Sequence, residues 1–184
     1  IYKVPNPTTD SVSSVDSNGL RQIKVVFDGE VDQDTAEDVT NYKVDGTTLS
    51  DGEDSAVLQD DNKTVLVTLK DKQKQDDDVD VTVKKGILSA DKSTTIKEFT
   101  TTVHFKDTTV PTLKSIDPKG NKKLTVEFSE PINVGKSENA SGVYSKFKIN
   151  DKNISSFGLN TDVTYTKAKD AVKDDDGYYW TNKI

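Results

Sequence analysis

The stretch VSSVDSNGLRQIKVVF (Val12–Phe27) returns 101 positions later as LKSIDPKGNKKLTVEF (Leu113–Phe128). Both copies begin with two apolar residues three apart, followed by an Asp, a Gly and a run that alternates to a terminal Phe. In the first copy Ile23, Val25 and Phe27 share one face, and Lys24 and Val26 the other. An alternation of period two, rich in β-branched and aromatic residues, predicts a half-buried strand. The correspondence continues outward: Val31 matches Ile132, and Tyr42-Lys43-Val44-Asp45 matches Phe147-Lys148-Ile149-Asn150 at an offset of 105. A period near 100 residues is that of a whole sandwich domain and is too long for a solenoid repeat.

The same alternation recurs at Val65-Val67-Leu69, at Val79-Val81-Val83 and at Val103-Phe105. Turn dipeptides separate these runs: Asn18-Gly19, Asp28-Gly29, Asp45-Gly46 and Asp51-Gly52. One stretch reads as helical. Thr35-Ala36-Glu37-Asp38 resembles a capping box and predicts a turn or two of helix before Asn41. The fold class expected is therefore all-β, as two β-sandwich modules in tandem. Module 1 spans residues 1–106, with residues 1–9 (around Val4-Pro5-Asn6-Pro7) linker-like, and module 2 spans 107–184. Pro111 restrains the residue before it to extended conformations, so a taut linker is expected at Lys106–Pro111. Module 2 has about three-quarters of the first module's length, and it is expected to be incomplete.

Composition narrows the function classes. Asp and Glu number 32 against 25 Lys and Arg, a net charge of −7. That balance disfavours nucleic acid and anionic membrane surfaces, which attract basic stripes. No apolar run reaches the roughly 18–20 residues of a membrane span. The chain has no Cys and a single His, His104, so thiolate metal sites, Cys nucleophiles and Ser-His-Asp triads lack material. Alternation turns His104 away from the face of Val103 and Phe105, toward solvent. Carboxylate pairs abound, but aromatic residues make up only 7% of the chain, too few to line a sugar cleft of the kind glycosidases need. Tyr178-Tyr179-Trp180 reads as a strand before it reads as a sugar platform. No catalytic residues and no enzyme activity are expected.

DTTVPTLKSIDPKGNKKLTVEFSEPIN (Asp107–Asn133) resembles the opening of the bacterial Ig-like domains of Gram-positive S-layer proteins. TAEDVTNYKVDGTTLS (Thr35–Ser50) and DNKTVLVTL (Asp61–Leu69) are similar to later segments of the same domains. The resemblance covers the first module and at least half of the second. It implies Ig-like sandwiches on the bacterial cell surface, acting as scaffold in a two-dimensional coat that self-associates, often with calcium locking neighbouring modules. Phe128-Ser129-Glu130-Pro131 also occurs in Ig-like modules of other secreted bacterial proteins. A stalk or accessory binding module of an adhesin or large secreted enzyme is thus the alternative. The first module departs from that pattern, with Phe27-Asp28-Gly29-Glu30.

Calcium takes six to eight hard oxygens, which Asp and Glu on loops supply. Asp107 in the linker, Glu130 after a strand whose end is expected to approach it, and Asp10 in the corresponding place of module 1 are the candidate ligands. The other reading of these three is solvated turn residues. Asp32 and Asp34 fit a helix N-terminus, where negative charge is favourable. Asp76–Asp78 and Asp174–Asp176 lack the spacing of an EF-hand loop and are expected in exposed loops.

Overall fold

A computed structural model describes residues 10–120, 123–137, 143, 145–157 and 171–184; the linker-like reading of residues 1–9 lies outside them. The chain divides after Thr108 into two compact units. It is all-β, as the alternation predicted, and its sheets are antiparallel throughout.

Among the described residues the first unit has eight strands: β1 (Val12–Ser17), β2 (Gln22–Phe27), β3 (Tyr42–Val44), β4 (Thr47–Thr48), β5 (Ser55–Leu58), β6 (Thr64–Thr68), β7 (Asp77–Val83) and β8 (Phe99–Phe105). They form two four-stranded sheets, in the orders β1-β2-β6-β5 and β4-β3-β7-β8. Lettered A to G, with C′ after C, these are the A-B-E-D and C′-C-F-G sheets of an immunoglobulin sandwich. The period-two faces meet in one core. Ile23, Val25, Phe27, Val65 and Val67 come from the first sheet, and Tyr42, Val81, Val83, Val103 and Phe105 from the second. Burying a side chain of this size contributes about 1.5–3 kcal/mol each, which lets a chain with few apolar residues hold a sandwich.

The helical stretch differs in detail from the expectation. A four-residue helix, α1 (Gln33–Ala36), starts one residue after Asp32, whose carboxylate accepts the Thr35 amide hydrogen bond at 3.2 Å. Thr35 is thus inside the helix and not its cap. Asp32 outcompetes it because a carboxylate at the N-terminus meets both the open amides and the helix dipole. Asp38 then caps a 3-10 turn, Val39–Asn41. The turn hands over to Tyr42, whose buried hydroxyl donates to the Ala36 carbonyl at 2.7 Å.

The second unit contains β9 (Leu113–Lys119), β10 (Lys123–Gly135), β11 (Lys148–Ile149), β12 (Lys152–Asn153), β13 (Val172–Lys173) and β14 (Tyr179–Lys183). Its sheets run β13-β14-β10-β9 and β11-β12. A 3-10 turn at Ile154–Phe157 was not anticipated. The pairing of β9 with β10 reproduces that of β1 with β2. Val12↔Phe27, Ser14↔Val26, Val15↔Val25, Asp16↔Lys24 and Ser17↔Ile23 reappear 101 positions on as Leu113↔Phe128, Ser115↔Glu127, Ile116↔Val126, Asp117↔Thr125 and Pro118↔Leu124. The register irregularity near the start of each hairpin recurs too, and it puts the two apolar residues, three apart, on one face. Gly19 and Gly120 both hold positive φ, 73° and 67°, where a side chain is strained. The hairpin of β3 and β4 corresponds in the same way to that of β11 and β12, with Asp45 at φ 48° and Asn150 at φ 49°.

Candidate functional site

Asp10 lies just before β1. Its carboxylate is 2.6 Å from Lys97 Nζ, and its carbonyl accepts the Lys97 amide at 2.8 Å. The Asp10 carboxylate in turn holds the Lys97 ammonium above its usual pKa. Asp107 follows β8 in the first unit, exposed, with its amide donating to Gln75 Oε1 at 3.1 Å. Glu130 belongs to the second unit and does not follow a strand as expected. It sits inside the 13-residue β10, at a break in register between Glu127 and Ile132. Pro131 has no amide to give the ladder, and a bulge is where a strand tolerates that. The Glu130 side chain is buried and accepts a bond from the Thr109 hydroxyl at 3.3 Å. Among the described residues no three His, Cys, Asp or Glu side chains converge as a metal site.

The two acidic triplets serve the backbone. Asp76 turns the chain at φ 57°, but Asp77 and Asp78 already belong to β7 and pair with Phe105 and His104, so this triplet is not a free loop. Strand propensity disfavours Asp, yet these positions face solvent at a strand start. Asp174 forms the turn before β14. Its carboxylate accepts from the Tyr178 amide and from Trp180 Nε1, both at 2.8 Å. Tyr178 and Tyr179 lie under the ammonium groups of Lys136 and Lys173, at 4.5 and 5.5 Å from the ring centres. The Tyr-Tyr-Trp run is thus mostly strand, with its rings tethered or covered.

His104 faces solvent on β8, with Nδ1 2.7 Å from Asp78 Oδ1 and Nε2 3.7 Å from Asp76 Oδ1. The Ser17 hydroxyl is directed at the His104 backbone carbonyl, at 2.9 Å. A groove of about 270 Å³ is lined by Val44, Leu49, Glu53, Asp54, Leu69 and Lys70, among others. Glu53 pairs with Lys70 Nζ at 3.0 Å, and Asp54 accepts the Lys70 and Ser50 amides. These charges brace the loop between β4 and β5.

Three carboxylates are held below their usual range by local hydrogen bonds: Asp32, expected at the helix N-terminus, and Asp61 and Asp91, which the sequence did not single out. Burial pushes Asp32 up, but hydrogen bonds from Lys92 and Thr35 outweigh it and hold the carboxyl below its usual range. Burial also works against Asp61, where bonds from the Thr64 hydroxyl and the Lys63 and Thr64 amides prevail. At Asp91, bonds from Ser89 and Ser93 lower the pKa to about 2. Each accepts a backbone amide from two or three residues further on, the local contact that makes Asp a turn residue.

No protein-family model matches the chain. The chain is 35% identical over 128 residues to the Surface-layer 125 kDa protein of Lysinibacillus sphaericus, covering 68% of this chain and 10% of that protein. It is 36% identical over 129 residues to the Outer cell wall protein of Brevibacillus brevis, covering 70% and 12%. Its homologues are surface-layer proteins. The chain spans about a tenth of the length of these two relatives. Among solved structures, domains 1–6 of the surface layer protein SbsC are similar at a TM-score of 0.48 and 21% identity, over 64% of this chain and 17% of that one. The S-layer protein rSbsC(31-844) follows at a TM-score of 0.47 and 21% identity, over 64% and 18%.

Proposed function

We propose that this chain is a structural part of a bacterial S-layer: a non-catalytic, extracellular component of the cell-surface coat that acts through self-association. The observation that carries the reading is its 35–36% identity, over more than two-thirds of its length, to a surface-layer and an outer cell wall protein. The arrangement of the polar groups supports it. The carboxylates and the imidazole described above brace turns, caps and strand ends, which suits a module whose work is to hold its shape. The two units are two copies of one Ig-like module, linked near Asp107–Pro111, and repeated modules are an economical way to build a coat.

Calcium belongs to this proposal as a bridge between neighbouring molecules. A net charge of −7 makes copies repel, and a divalent cation shared between exposed carboxylates such as Asp107 relieves that repulsion. Asp10, half-exposed beside Lys97, contributes where a neighbour's oxygens complete the shell. Extracellular modules bind calcium with Kd of about 10⁻⁴–10⁻³ M, so millimolar calcium suffices.

The test uses the protein as extracted from cells with a chaotrope, dialysed with millimolar calcium, with magnesium, or with a chelator. Ordered sheets in electron micrographs with calcium, and fewer with Asp107→Asn, are expected. A protein that stays monomeric in all three buffers contradicts the coat reading and favours a stalk. Sheets that form equally well in chelator refute the calcium part alone.

A further inference from the structure

The two units match in register but not in charge. Residues 1–108 hold 22 Asp and Glu against 13 Lys and Arg, and residues 109–184 hold 10 against 12. The first stretch is thus acidic by nine charges and the second basic by two. The closed end of the repeated hairpin shows the contrast. In the first unit Asn18 and Gln22 stand there, neutral, their side chains bonded at 2.6 Å. Their counterparts 101 positions on, Lys119 and Lys123, lie directly opposite each other across β9 and β10, and both are exposed. Like charges placed so are destabilising. The Asp117 carboxylate meets Lys119 Nζ at 2.5 Å, one carboxylate for two ammonium groups, so the hairpin end keeps a net positive charge against its own pairing. The first unit offers the reverse. Among the described residues, the groove of about 270 Å³ is lined by four carboxylates, Asp45, Glu53, Asp54 and Asp71, and by one lysine, Lys70. Lys72 and Lys74 follow in the chain but do not line it. Glu53 pairs with Lys70 and Asp54 holds two backbone amides, while Asp45 and Asp71 are exposed. Val44, Leu49 and Leu69 give the groove apolar walls. A lysine suits such a place, because its alkyl stem lies along apolar surface while its ammonium reaches out to carboxylates.

We propose that the β9–β10 hairpin end of one copy docks in this groove of a second copy, bringing Lys119 and Lys123 to Asp45 and Asp71. Such docking rests on the self-associating role proposed for the chain and gives that role its surfaces. Charge complementarity commits the groove to a second copy: the same chain supplies the cationic element and the anionic groove, on different units. The two surfaces are unlike, so the contact is heterologous and passes from copy to copy in an open row instead of closing into a dimer. Its charges lie at the surface, so salt screens it and weakens it.

The test is sedimentation of the 184-residue chain in chelator, which sets calcium bridging aside. The unaltered chain is expected to gain mass with concentration, and to gain less as salt is raised. Asp45→Asn with Asp71→Asn, and separately Lys119→Gln with Lys123→Gln, are each expected to weaken association about tenfold or more. An equimolar mixture of these two variants is expected to stop at a dimer, because one intact groove and one intact hairpin end remain between them. A chain with the charges exchanged, Asp45→Lys and Asp71→Lys together with Lys119→Glu and Lys123→Glu, is expected to regain the growth of the unaltered chain. Variants that associate like the unaltered chain, or a mixture that stays monomeric, overturn the proposal. An unaltered chain that stays monomeric yet is retained on a polyphosphate resin, and loses that retention with Lys119→Gln and Lys123→Gln, overturns the choice of occupant. Calcium-dependent sheets of the extracted protein, found together with variants that change nothing, sink this contact and leave the coat reading standing.

Discussion

Single residues here hold backbone more than they offer chemistry. Gly86 is the tightest case. A Cβ at this position would lie 2.0 Å from Asn41 Oδ1 and 2.8 Å from Asn41 Cγ. Asn41 cannot easily yield, since it is buried and its Nδ2 donates to the Thr35 carbonyl at 2.9 Å. Gly86→Ala is expected to destabilise the first unit by about 1–3 kcal/mol, the usual cost of overpacking, as read from urea unfolding. The lowered carboxylates make a second prediction. Asp32, Asp61 and Asp91 all have folded pKa values below the unfolded ones. Their contribution is thus fully present above the unfolded pKa and is lost as pH falls through the folded values. Urea midpoints are expected to hold steady above about pH 5 and to fall between about pH 4 and pH 2. Asp61→Asn should flatten that fall; a midpoint that instead rises on acidification contradicts the assignment.

At the scale of elements, equal sequence positions have unequal surroundings. Ile23→Ala empties a filled site and should cost about 2–5 kcal/mol. Leu124→Ala, at the same register position of the other hairpin, should cost less than about 1 kcal/mol, because that side chain is already partly in water. Hydrogen exchange resolved by unit measures both. Strands were legible because period two is a property of the chain itself: Ile23, Val25 and Phe27 reveal a face without any partner. Caps were less so, since Asp32 and Thr35 both qualify as N-caps and the choice depends on where Lys92 and Leu88 arrive from a distant loop. Glu130 was misplaced for a related reason. Pro131 reads as a strand end, and only the bulge opposite β14 lets the strand run through it.

At the scale of the whole molecule, the proposed role rests on surface and repetition. The 101-residue offset of the sequence recurs in the matched pairs of β1–β2 and β9–β10. A one-residue slip in either hairpin would turn its apolar set to the opposite face, so a register kept in both copies is a strong constraint on the chain. Homology to surface-layer proteins then places such modules on the cell exterior in the proposed reading. Immunogold cryo-tomography of intact cells, with antibody raised against residues 10–120, tests that claim most directly. The account predicts label on the outer surface, spaced at the repeat of a two-dimensional lattice. Label confined to the cell interior, or scattered on the surface without a repeat, would contradict it.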